Sequence, residues 1–151
     1  MEPLVERLQG RTGSPALSLL VDTSVWSLAL RRDVEQSAPE VVALRHALLG
    51  GDQVFTTGLV LQELLQGFAG PKDRAQLVKR LSALAFLQLV KDDHLEAVEV
   101  RNVCRRRGVH IGTIDALLIQ LCLRNDLTLL TTDQDFRAAV KHVAFSLWGA
   151  S

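Results

Sequence analysis

The chain has 151 residues, the length of one ordinary domain, and 48% of them are apolar. That is enough to bury a core without disulfides or metal staples, and it argues against a disordered chain. Seventeen basic side chains balance seventeen acidic ones, so a wholesale basic nucleic-acid binder is excluded while local basic patches remain possible.

Residues 1–16 mix charge, Gly and Pro and read as a flexible N-terminal extension without the apolar stretch of a signal peptide. Leu17–Val21 is a short continuous apolar run, the pattern of a strand buried on both faces. It stops at Asp22, and Thr23 and Ser24 then offer caps for a helix through Leu30. Pro39-Glu40 opens a second helix that Gly50-Gly51 ends. Val54–Thr56 reads as a second strand, followed by a helix carrying Leu59, Leu61, Leu64, Leu65 and Phe68. A further helix spans about Lys72 to Leu84, and Phe86–Val90 reads as a third strand. Asp92-Asp93 caps a long helix that Gly108 stops. Thr113 caps the next, Ile114–Arg124, which is apolar nearly all round and therefore central. Leu127–Leu130 is a fourth strand, Phe136–Lys141 a helix, and Val143–Leu147 a fifth strand.

Strands alternating with helices predict a three-layer α/β sandwich: a mostly parallel five-stranded sheet with helices on both faces, filling residues 17–151. No apolar run is long enough to span a bilayer, so the expected location is cytoplasmic, with no membrane partner. Cys104 and Cys122 fall in apolar helical stretches and read as buried thiols. His46, His94, His110 and His142 are scattered, with no pair at zinc-ligand spacing.

Four acids sit beside apolar runs, where a solvated charge is not expected. Asp22 ends the first strand, Glu63 lies inside Leu59–Leu65, Asp115 interrupts the most apolar helix, and Asp133 follows the fourth strand. Taken singly, Asp22 and Asp133 could cap helices, Asp115 could complement a helix dipole, and Glu63 could face solvent. In open α/β sheets, however, ligands bind beyond the carboxyl ends of the strands, where Asp22 and Asp133 lie. Placing Glu63 and Asp115 in the first turns of their helices brings them to the same rim. Two carboxylates about 4 Å apart repel by roughly 4 kcal/mol at an effective dielectric of 20. Either some protonate or a cation sits among them. All-oxygen ligands suit Mg²⁺ or Mn²⁺, and such a centre suits phosphodiester hydrolysis.

At these residues the sequence resembles the PIN domains, specifically the VapC-type toxins of bacterial toxin–antitoxin pairs. Leu20-Val21-Asp22-Thr23-Ser24-Val25-Trp26 resembles the opening strand with its first acid. Leu61-Gln62-Glu63-Leu64-Leu65-Gln66-Gly67 resembles the second motif, Gly112-Thr113-Ile114-Asp115-Ala116-Leu117-Leu118-Ile119 the third, and Leu130-Thr131-Thr132-Asp133-Gln134-Asp135-Phe136 the closing one. Gln120 stands where many relatives have a small residue, and the leader is longer than the family needs. The resemblance implies a Mg²⁺- or Mn²⁺-dependent endoribonuclease acting on RNA such as tRNA, a cognate antitoxin partner and a homodimer. Asp22, Asp115 and Asp133 are the expected metal ligands, and Glu63 completes the ring or orients water. Ser24, Thr131 and Asp135 are the supporting residues around them. Phosphate contacts are expected from Arg31 and Arg32 after the first helix, and from Arg105, Arg106 and Arg107 at the end of the long one. The competing readings are a catalytically inactive PIN-like interaction module and a haloacid-dehalogenase-like phosphatase. The phosphatase needs a second Asp where Ser24 stands.

Overall fold

A computed structural model describes residues 16–31, 37–67 and 70–150. The leader up to residue 15, Arg32 and Phe68 lie outside the described residues. The elements follow in chain order: β1 (Ser18–Val21), α1 (Thr23–Leu30), α2 (Pro39–Gly50), β2 (Gln53–Thr57), α3 (Gly58–Gln66), α4 (Pro71–Leu81) and β3 (Ala85–Leu87). Then come α5 (Lys91–Arg106), α6 (Thr113–Asn125), β4 (Thr128–Leu130), α7 (Gln134–Ala139) and β5 (Ser146–Leu147).

The five strands form one sheet in the order β3-β2-β1-β4-β5, and every pairing is parallel. Helices cover both faces, which is the expected three-layer sandwich. The chain winds outward from β1 to β2 and β3, then crosses back to β4 and β5 on the other side. The strand order therefore reverses between β1 and β4. Their register pairs Val21 with Leu130, so the two strands end level. Asp22 N–H donates to the Leu130 carbonyl at 2.9 Å and closes the seam at that end.

Leu19, Leu20 and Val21 are buried, as are Leu129 and Leu130, which explains the unbroken apolarity of both central strands. Against them packs α6, whose residues Ala116 to Cys122 are all buried. A helix so enclosed needs an apolar surface all round, and its polar exception, Gln120, gives its Nε2 to Asp93 at 3.2 Å. Asp93 is fully buried at the start of α5. It accepts from Arg124 Nε at 2.8 Å, Arg124 Nη2 at 2.9 Å and the Val90 amide at 2.9 Å. The guanidinium also reaches the Gln88 carbonyl, so one buried carboxylate ties α5, α6 and the preceding loop together.

Several helix starts differ from the sequence expectation. The cap of α1 is Asp22 itself, and Thr23 and Ser24 are its first turn, their hydroxyls turned elsewhere. The cap of α5 is Val90, with Asp93 reaching back to its amide, and the cap of α6 is Gly112 rather than Thr113. Thr57 caps α3 through its side chain, so that helix begins at Gly58 and Glu63 falls in its second turn, not its first. The edge strands are shorter than their apolar runs. In β5 the backbone of Val143 is still bonded to Ala139 at the end of α7, leaving only Ser146 and Leu147 to pair. Gly51 ends α2 at φ 96°, a left-handed position that suits a residue without Cβ.

Candidate metal centre

The level ends of β1 and β4 place Asp22 beside Thr131. Asp22 is buried, and its Oδ2 accepts from Ser24 Oγ at 2.8 Å and from Thr131 Oγ1 at 2.8 Å. Thr131 Oγ1 in turn accepts from the Asp133 amide at 3.0 Å, and Ser24 Oγ from the Thr132 amide at 3.1 Å. The two hydroxyls thus hold one carboxylate oxygen and anchor the loop that carries Asp133. A buried carboxylate without such donors would lose its hydration with nothing in return.

Asp133 caps α7, accepting from the Asp135 amide at 2.9 Å. Capping and site placement are one geometry: the turn that lets Asp133 cap the helix also presents Asp135. Asp115 comes from the other side, in the first turn of α6. One carboxylate oxygen from each of Asp115, Asp133 and Asp135 lies within 4.8 Å of the others. Asp115 responds to this crowding. Burial, then the charges of Asp22 and Asp133, push its carboxyl up to about 6; the Gly112 amide pulls the other way, and Asp135 adds a smaller upward push.

Glu63 stands in a separate contact. Its Oε1 accepts from Thr23 Oγ1 at 2.9 Å, which ties α3 to the first residue of α1, next to Asp22. Among the described residues the structure therefore gathers Asp115, Asp133 and Asp135 as a tight trio. Asp22 couples to it through charge and through Thr131, and Glu63 is held one residue away through Thr23. In the sequence Thr23 reads only as a helix cap; its place immediately after a strand-end acid is the signal that marks the contact with Glu63.

The remaining reactive groups lie elsewhere. Cys104 and Cys122 are buried, and burial alone raises both thiols, Cys122 to about 12, so neither is poised as a nucleophile. Trp26 packs in the core. Arg31 follows the end of α1, while Arg105, Arg106 and Arg107 are exposed at the end of α5.

A parallel sheet reversing at β1 and β4, with acids massed beyond that reversal, defines a class of α/β protein that binds its ligand at the strand ends. The chain matches the family described as the PIN domain over residues 19–141, and it belongs to that family. Among characterised proteins it is similar to Ribonuclease VapC23 of Mycobacterium tuberculosis, 29% identical over 119 residues that cover 76% of this chain and 90% of that protein. Among solved structures it shares its fold with VapBC2 from Rickettsia felis bound to a promoter DNA fragment, at a TM-score of 0.69 and 17% identity, covering 87% of this chain and 97% of that one. FitAcB from Neisseria gonorrhoeae gives 0.64 and 21%, covering 87% and 96%. VapC20 of Mycobacterium tuberculosis, a toxin that cleaves the sarcin–ricin loop, gives 0.63 and 21%, covering 81% and 95%.

Proposed function

We propose that this protein is a divalent-metal-dependent endoribonuclease and the toxin of a toxin–antitoxin pair. The observation that carries the reading is the approach of Asp115, Asp133 and Asp135 within 4.8 Å, with the Asp115 carboxyl pushed up to about 6. That crowding is what a bound cation would relieve. The donors are carboxylate oxygens, which fit Mg²⁺ or Mn²⁺ and do not fit a soft metal. Asp22, Asp115 and Asp133 would hold the ion, with Asp135 at its exposed side. When bound, the ion would supply positive charge to a phosphodiester and lower the pKa of water.

The chain's own groups would do the rest. Ser24 and Thr131 fix the orientation of Asp22 through its Oδ2. Glu63, steadied by Thr23, would orient the attacking water and take up its proton. Arg31, Arg32, Arg105 and Arg106 would meet RNA phosphates. Ribonuclease activity in the VapC23 relative, and toxin–antitoxin complexes among the proteins that share the fold, support an RNA substrate and an antitoxin partner. A homodimer in the cytoplasm is part of the same reading, and no described helix is long and apolar enough to cross a membrane.

The test is cleavage of total RNA and of tRNA by the purified chain, freed of any partner, in Mg²⁺ or Mn²⁺ and in EDTA. Cleavage should vanish in EDTA. It should fall in Asp22→Ala and Asp115→Ala by more than the about 10–100-fold typical of losing a partner of a metal ligand. Cutting that survives both EDTA and the substitutions would defeat the mechanism, and no cutting of any RNA would favour an inactive interaction module.

A further inference from the structure

The stretch Val100–Ile114 carries four arginines and a histidine and no acid. It comprises the end of α5, the connecting loop and the start of α6, whose third residue is Asp115. Where these elements meet, Arg101, Arg105, Val109, His110 and Ile111 line a notch of about 20 Å³. Its two arginines are oriented without being neutralised. Arg101 Nε donates to the Ile111 carbonyl at 3.0 Å, and Arg105 Nη2 donates to Asn102 Oδ1 at 2.6 Å. Neither has a carboxylate partner among the described residues. Both contacts use neutral oxygens, so each cation keeps its full charge and its remaining N–H donors. A guanidinium held by a neutral acceptor has already lost part of its rotamer freedom, which lowers the cost of binding an anion.

From these contacts we infer that the notch is a subsite for a phosphate of the RNA backbone next to the one being cut. The inference rests on the nuclease reading for the name of its ligand. The notch admits a phosphate oxygen or two and is far too small for a base, so it would fix the strand without reading sequence. Its position relative to the acids follows from one peptide group. The Ile111–Gly112 peptide gives its carbonyl to Arg101, and its amide belongs to Gly112, the cap of the helix that presents Asp115. The Gly112 amide hydrogen-bonds the Asp115 carboxylate, so the guanidinium and that carboxylate meet opposite edges of one peptide group. A strand laid along the loop would bring one phosphate to the arginines and a neighbouring one to the acids. An acidic peptide would find the same cations but would have to pass the carboxylate trio, whereas RNA with a divalent ion would be drawn to both.

The experiment measures binding of a fluorescein-labelled single-stranded RNA 12-mer by anisotropy in EDTA, which separates binding from cleavage, at several salt concentrations. The proteins are wild type, Arg105→Gln, Arg101→Gln and, as a charge-matched control outside this loop, Lys79→Gln. Each notch variant should weaken binding about tenfold, the loss of one charged hydrogen bond. Each should also flatten the slope of log K against log salt by about 0.7, the signature of one lost phosphate contact on a single strand. Lys79→Gln should change neither. In cleavage, the notch variants should raise KM with kcat retained. Notch variants that keep the wild-type affinity and slope would overturn the inference, even if the protein cuts RNA. An acidic 12-residue peptide that competes as well as unlabelled RNA would overturn it in favour of a protein ligand. RNA binding that depends on Arg105 in a protein that cuts no RNA would sustain the subsite and sink the nuclease.

Discussion

Asp115 shows how a single side chain records the electrostatics of the site. Its carboxyl is raised to about 6 by burial and by the charges of Asp22 and Asp133. A folded-state value above the unfolded one means a stabilising contribution that is complete below pH about 4 and lost as pH rises through about 6. At neutral pH and without metal, the ionised side chain therefore works against the fold. Asp115→Asn in EDTA at pH 7.5 should raise Tm by about 2–4 °C, the effect of about 1 kcal/mol in a domain of this size, and thermal denaturation followed by circular dichroism would check it. The same variant should lose any stabilisation by Mg²⁺. Ser24→Ala removes one of the two donors on Asp22 Oδ2 while leaving every proposed ligand in place. Its Mn²⁺ affinity should fall about tenfold, and because the Thr132 amide also loses its acceptor, Tm should fall by about 2–4 °C, measured by metal titration and by thermal shift without metal. Asp22, Asp115 and Asp133 were legible in the sequence because each interrupts or ends an apolar run. Thr23 and Asp135 were less so: one is half-buried and the other exposed, and neither breaks a hydrophobic pattern.

Helix α6 gains its fixed position from its far end. Asp93 is fully buried, yet its carboxyl lies below the usual carboxylate range. Burial alone would raise it, and the Arg124 guanidinium, the Val90 amide and the Gln120 amide together outweigh burial. A lowered value contributes stability that is present above the unfolded pKa of about 4 and is lost as pH falls from there through the folded one. Asp93→Ala leaves Gln120 and the Val90 amide without their acceptor and should destabilise the domain by about 3 kcal/mol in urea denaturation, the low end for a broken buried pair because Arg124 can turn to water. A loss below about 1 kcal/mol would show that the clamp is ornamental. The pattern of α6 announced a central helix, but nothing in it announced the clamp, because Asp93 is 27 positions from Gln120 and 31 from Arg124. Strand ends were blurred for a related reason. The limits of β3 and β5 are set by where β2 and β4 pair with them, not by their own apolar runs.

Across the whole molecule, zero net charge conceals a division. Asp22, Asp115, Asp133 and Asp135 gather where β1 and β4 end, and the acid-free stretch Val100–Ile114 borders them through the start of α6. The alternation of strands and helices made the sandwich legible from the sequence, since the short buried runs had to be strands and the longer helical runs, the buried α6 among them, had to pack on the sheet's faces. Strand order was not legible, because local pattern carries no information on which strands are neighbours; it is that order which brings Asp22 to Asp133. If these carboxylates hold a divalent ion, titration calorimetry with Mn²⁺ will register it. Wild type should bind at pH 7.5, bind at least tenfold more weakly at pH 5, where Asp115 is mostly protonated, and release protons on binding near pH 6; Asp115→Asn should bind weakly at every pH. Affinity that is unchanged by pH and by Asp115→Asn, or no binding at millimolar Mn²⁺, would mean that these carboxylates are not a metal site.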